Sequence, residues 1–148
     1  MKKILTFYFA VLMLTSASLH SFAQSHNLVV ISNPKGAPTE ITHTELLAVM
    51  KGEKQRWNDG TRISIALMKS STTTGEVTSE KIYGMSGDEV NKFWLALVFQ
   101  GKAKAPVFFN SAADLETYIS QTPGGIGVVD DTPEVKSKPM LVDGKKSL

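Results

Sequence analysis

No cysteine occurs in the 148 residues, which excludes disulfides, thiolate metal sites, a cysteine nucleophile and a lipid-modified amino-terminal cysteine. Histidine is scarce, with only His20, His26 and His43. A serine triad needs Ser, His and a carboxylate to converge, and the Gly-x-Ser-x-Gly turn that presents such a serine in α/β-hydrolases is missing. His43 and Glu45 lie two apart and leave a helix on different faces, which does not suit a metal pair. These gaps argue against an enzyme, and no cofactor is expected. Charge of one sign is not in excess either, with sixteen Lys and Arg facing fourteen Asp and Glu. The basic residues are scattered among acidic ones, whereas a nucleic-acid or membrane-surface binder needs a basic cluster. Gly124-Gly125-Ile126-Gly127 lacks the Lys-Ser/Thr ending of a phosphate loop and instead marks a tight approach to a strand. Internal repeats are absent.

The one long apolar run is at the start. Lys2-Lys3 precede residues 4–14, which are apolar except for Thr6, and Ser21-Phe22-Ala23 sets small residues at the positions a signal peptidase reads. Residues 1–23 are therefore expected to be a cleaved secretory signal. The run is too short to span a bilayer comfortably, so stable membrane insertion is not expected. Cleavage after Ala23 would leave about 125 residues with fourteen basic and fourteen acidic side chains, free in the periplasm or the medium. That length can fold around its own core without staples.

What remains reads as alternating strands and helices. Residues 27–32 are a continuous apolar, β-branched run, the pattern of a central strand buried on both faces, ended by Asn33-Pro34. Thr42 to Glu45 has capping-box spacing and predicts a short helix over 43–51, stopped by Gly52. A turn at Trp57-Asn58-Asp59-Gly60 leads to a strand over 62–68. Residues 76–83 predict a helix ended by Gly84. Ser86 to Glu89 is a second capping box, followed by Val90, Phe93, Trp94, Leu97 and Val98 at helical spacing up to Gly101. Residues 106–109 read as a strand, 111–119 as a helix capped by Ser111, and 126–129 as a last buried strand. Trp94 is expected in the core and Trp57 at a core edge. The order argues one α/β domain over 24–130 with a mainly parallel sheet flanked by helices, and 131–148 reads as a polar, fraying tail.

The chemistry concentrates between a strand and a helix. Lys69 is followed by five hydroxyls, Ser70, Ser71, Thr72, Thr73 and Thr74, and then Gly75. Ligands bind at such strand-to-helix turns in open α/β sheets, because backbone N–H groups and the positive helix end face outward. Hydroxyls and one Lys at that place suit an oxyanion. The competing reading is a surface loop whose hydroxyls only cap the helix.

Taken in order, several segments resemble the phosphate ABC transporter substrate-binding proteins, especially their short single-lobe relatives. They are Leu28-Val29-Val30 with Asn33-Pro34, Glu45-Leu46-Leu47 with Met50-Lys51-Gly52, and Trp57 to Gly60. The loop Lys69 to Gly75, Phe93-Trp94 through Phe99-Gln100-Gly101-Lys102, and Thr122 to Val129 complete the set. The resemblance implies a single type II periplasmic-binding-protein-like lobe holding phosphate or a related oxyanion at the loop. An ABC permease or an envelope sensor protein is the implied partner, and nucleic acid is not. In the family this loop runs Arg, an acidic residue, then Ser-Gly-Thr. Here Lys69 stands at the Arg position, Ser71 where the acid falls, and Thr73-Thr74-Gly75 in place of Ser-Gly-Thr. Serine cannot act as the charged acceptor for the proton of hydrogen phosphate, and Lys lacks the bidentate fork. One lobe supplies only part of the enclosure a ligand needs. A non-catalytic interaction or assembly module that keeps the lobe without a ligand is the alternative.

Overall fold

The computed structural model describes residues 26–148. The expected signal segment lies outside them. Among the described residues six strands and four helices follow one another: β1 Leu28–Ser32, β2 Glu40–Ile41, α1 His43–Met50, β3 Ser64–Met68, α2 Thr73–Thr78, α3 Gly87–Phe99, β4 Val107–Phe109, α4 Ala112–Gln121, β5 Gly125–Asp130 and β6 Pro139–Val142. A π-helical turn, Ser79–Tyr83, continues α2. The strands form one sheet in the order β2-β6-β1-β5-β3-β4. β3 runs parallel to β4 and β5, and β6 parallel to β2, while β1 is antiparallel to both its neighbours, so β1 alone is reversed.

β1 has the buried central position its composition predicts. Alternate side chains enter two separate cores: Leu28 and Val30 join one, Val29 and Ile31 the other. The first core is the larger. It packs Leu67, Ile126 and Val128 of the sheet under Leu46, Val49 and Met50 of α1, Ile82 and Tyr83 of the π turn, and Val90 and Trp94 of α3. The second sets Ala66, Met68 and Val129 against Leu115 and Ile119 of α4. Gly127 permits that close approach, since a Cβ there would lie 2.7 Å from the Leu115 side chain and 3.0 Å from the Ala66 carbonyl.

Both tryptophans close the larger core as expected. Trp94 is 2% exposed, and its indole N–H donates to the Tyr83 hydroxyl at 3.3 Å. That hydroxyl in turn donates to the Met50 carbonyl at 2.7 Å. Burial raises the Tyr83 pKa above the ordinary phenol value, so the hydroxyl stays a donor. Trp57 donates to the Gly124 carbonyl at 2.9 Å. Asn33, buried, donates its amide to the carbonyls of Ile119 and Ser120 at 2.9 and 3.1 Å, satisfying acceptors that the end of α4 leaves open.

Three expectations need correction. Residues 131–148 do not fray as a tail: β6 forms there and pairs with β1 and β2, Met140 is 1% exposed, and the Leu148 N–H donates to the Leu28 carbonyl at 2.8 Å. Two buried apolar positions, Met140 and Val142, suffice once β1 offers an open edge. The second helix starts at Thr73 rather than 76, because Thr72 caps it. Val98, placed in the apolar stripe of α3, is 42% exposed, and the buried stripe narrows to Val90 and Trp94 with Phe93 and Leu97 half-buried. At the other end of the described chain, the His26 carbonyl accepts from the Lys81 ammonium at 3.0 Å. Among the described residues no helix is long and apolar enough to cross a membrane.

Candidate functional site

β3 carries the hydroxyl loop to the carboxyl end of the parallel strands. The Lys69 N–H donates to the Phe109 carbonyl at 2.9 Å, tying the loop to the end of β4. The chain then turns back on itself: the Thr72 N–H and hydroxyl both donate to the Lys69 carbonyl, at 2.9 and 2.7 Å. The Thr72 hydroxyl also accepts from the Gly75 N–H at 3.0 Å and so caps α2. Gly75 is required by this geometry, because a Cβ would lie 2.0 Å from the Lys69 carbonyl oxygen. Ser70 packs against the start of α3, where a Cβ on Gly87 would lie 2.2 Å from its own Cβ. Two helix starts therefore meet at this loop.

Helix geometry leaves the N–H groups of Thr73 and Thr74 without intrahelical acceptors. They point out of the start of α2, where the helix end carries partial positive charge. The side chains around them divide into two groups. Lys69, Ser71 and Thr73 are exposed, and Ser70 is half-buried. Thr72 and Thr74 differ from the sequence reading, since both hydroxyls are engaged within the fold. Thr72 is the cap. Thr74 is 9% exposed, and its hydroxyl donates to the Asp130 carboxylate.

Asp130 was not singled out in the sequence, where it closes an apolar strand and opens a polar stretch. The parallel register of β3 and β5 runs from Ser64 opposite Gly125 to Ala66 opposite Gly127, and continuing it brings Asp130 beside Lys69. A carboxylate at the carboxyl end of a strand in an open α/β sheet is the signal that could have found it. Its Oδ2 accepts from Thr74, while its Oδ1 is buried without a hydrogen bond and lies 3.8 Å from His26 Nδ1. The loop thus combines one cation, three available hydroxyls and two free N–H donors, with one carboxylate behind the helix start.

The other sequence candidates fall elsewhere. His43 opens α1, and its N–H donates to the Asp143 carboxylate at 3.2 Å. Glu45 pairs with Lys54. Gly124 turns with φ +73° under the Arg62 carbonyl and gives β5 its tight start. Among the described residues no group of three or more His, Asp or Glu could hold a metal ion.

No family model and no curated protein matches the sequence. Solved structures do match in fold. An ABC-type phosphate transport receptor from Vibrio cholerae aligns with a TM-score of 0.62 at 16% identity, over 83% of this chain and 49% of its own. A phosphate ABC transporter substrate-binding protein from Clostridium perfringens, solved with phosphate bound, gives 0.61 at 11% identity, over 80% and 46%. PstS from Borrelia burgdorferi gives 0.53 at 20% identity, over 72% and 41%. The chain spans about half the length of these proteins. Its fold is a single α/β lobe of the kind found in phosphate-transport receptors, the class of protein that the order of its sequence motifs resembles.

Proposed function

We propose that this chain is an exported, non-enzymatic solute-binding domain that holds phosphate or a related oxyanion at the start of α2. The observation that carries the reading is the open helix start. Thr73 and Thr74 offer N–H donors beside Lys69, Ser70, Ser71 and Thr73, in a lobe whose structural neighbours include a phosphate-bound protein. Thr72 serves by capping the helix, and Thr74 by its backbone. Lys69 acts as a point charge, and the hydroxyls donate to the anion's oxygens. The partners that follow are an ABC permease or an envelope sensor protein, in the periplasm or outside the cell. A lone lobe leaves one side of the anion to water, so a second wall from such a partner would tighten binding.

Thermal melts of the purified protein, titrated with phosphate, sulfate and chloride at matched ionic strength, test the reading. A ligand at 100 times its dissociation constant stabilises by about 2.7 kcal/mol, which is expected for phosphate. Lys69→Ala combined with Thr73→Ala should remove the effect. Unchanged affinity in that variant would refute the site. No anion effect at all would favour the interaction-module alternative.

A further inference from the structure

We propose a second ligand site at the opposite end of β3, which takes a small organic monoanion with a flat apolar body. A cavity of about 210 Å³ opens there, where the amino-terminal ends of β3 and β4 meet the loop after α1. Tyr118, Ile65 and Val107 contribute apolar wall, Ser64 a hydroxyl, and Arg62 and Lys104 bring positive charge to a lining that is more polar than apolar. No carboxylate lines it. Lys54 also borders the cavity, but its ammonium is engaged by Glu45 and by Asn58. Neither Arg62 nor Lys104 takes part in an ion pair among the described residues, so both charges are available to a ligand.

The walls are fastened to the body of the fold. The Gln55 side chain donates to the Lys102 carbonyl at 2.5 Å, and the Ile63 N–H donates to the Gln55 carbonyl at 3.0 Å, which joins three segments around the opening. Gly52 turns with φ +75°, and a Cβ there would crowd the Trp94 ring and Ala103 at 3.1 Å each. The cavity is therefore preformed, which spares a ligand the cost of ordering it.

Size and chemistry select the ligand class. A dry cavity of about 150 Å³ accepts benzene, so this one has room for a ring bearing one carboxylate. The Arg62 guanidinium suits a carboxylate through its planar fork, and Lys104 adds a point charge. Inorganic phosphate would leave the Tyr118, Ile65 and Val107 side of the cavity unmatched. The two ends of β3 are about 15 Å apart, so this site is separate from the hydroxyl loop.

Benzoate is the probe. Titrated into the ¹⁵N-labelled protein, it should give saturable amide shifts at residues 63–65 and 103–105, half-complete near 1 mM or below (about −4 kcal/mol). Arg62→Gln with Lys104→Gln, both at exposed positions, should weaken binding about tenfold while the melting temperature holds. Ala105→Phe, which fills the cavity, should abolish the shifts. Absence of saturation at about 10 mM, equal affinity in the charge variant, or the same shifts with inorganic phosphate alone would each overturn the proposal. Phosphate shifts confined to residues 69–75 would bear only on the hydroxyl loop, so the two sites are judged separately.

Discussion

The helix starts of α2 and α3 touch one another at Ser70 and Gly87, yet they are finished in opposite ways. α3 is closed by its own side chains: the Glu89 N–H donates to Ser86 Oγ at 3.3 Å, and the Ser86 N–H donates to the Glu89 carboxylate at 2.7 Å. Asp88 adds a second negative charge in its first turn. α2 has only the Thr72 cap, and its third position is Gly75, which has no side chain to reach back. α1 and α4 resemble α3 here, with Glu45 and Asp114 at the third position. An anion approaching α3 meets the carboxylate of the box, whereas one approaching α2 meets free N–H groups and hydroxyls, with Glu76 later in the first turn and Asp130 behind it. The difference lies at the third helical position, where a carboxylate closes α3 on itself and a glycine leaves α2 with its hydroxyl cap alone.

The largest test of this contrast is Gly75→Ala. Its Cβ would collide with the Lys69 carbonyl, and a loss of about 3 kcal/mol is expected in urea unfolding. Gly87→Ala would set its Cβ 2.2 Å from the Ser70 Cβ, which only a backbone shift of the exposed loop can relieve, so the loss should be about 2 kcal/mol. Thr72→Ala and Ser86→Ala should each cost about 1 kcal/mol as lost caps, but only the first should weaken phosphate binding in calorimetry. Asp130→Asn keeps an acceptor for Thr74 while removing a charge beside the open start. Phosphate and sulfate should then bind about threefold tighter in the same measurement.

The smallest effect concerns acid. The backbone N–H of Ser86, and then its hydroxyl, hold the Glu89 carboxyl below the ordinary carboxylate pKa. Stability from that depression is present above the unfolded value and is lost as pH falls through the folded one. Glu89→Gln should therefore flatten a slight acid-side slope in melting temperature without altering anion binding.

Features set by near neighbours in the chain were legible. Ser86 and Glu89 are three apart, so their box is written locally, and the continuous run of β1 requires burial on both faces wherever its partners come from. β6 was not legible, because Met140, Leu141 and Val142 form too short a run among lysines, and their strand exists only where β1 offers an edge. The hydroxyl loop was visible by composition, but composition does not reveal which hydroxyls are already engaged. Thr72 and Thr74 are equivalent to Ser70 and Ser71 on paper and differ only after Lys69 O and Asp130 come within reach. Asp130 itself reaches the loop through a strand register that spans some sixty residues of chain.

The position of β1 has a consequence for the order in which the chain folds. It is the first strand among the described residues, yet its neighbours, β5 and β6, lie some hundred residues further along, and Leu148 itself bonds to Leu28. The centre of the sheet cannot assemble until β5 and β6 are present. Pairings at such sequence separation carry a large loop-closure cost before they are rewarded, which places folding toward the slow, millisecond-to-second range. A growing chain would hold β1 without either neighbour until β5 and β6 have been made.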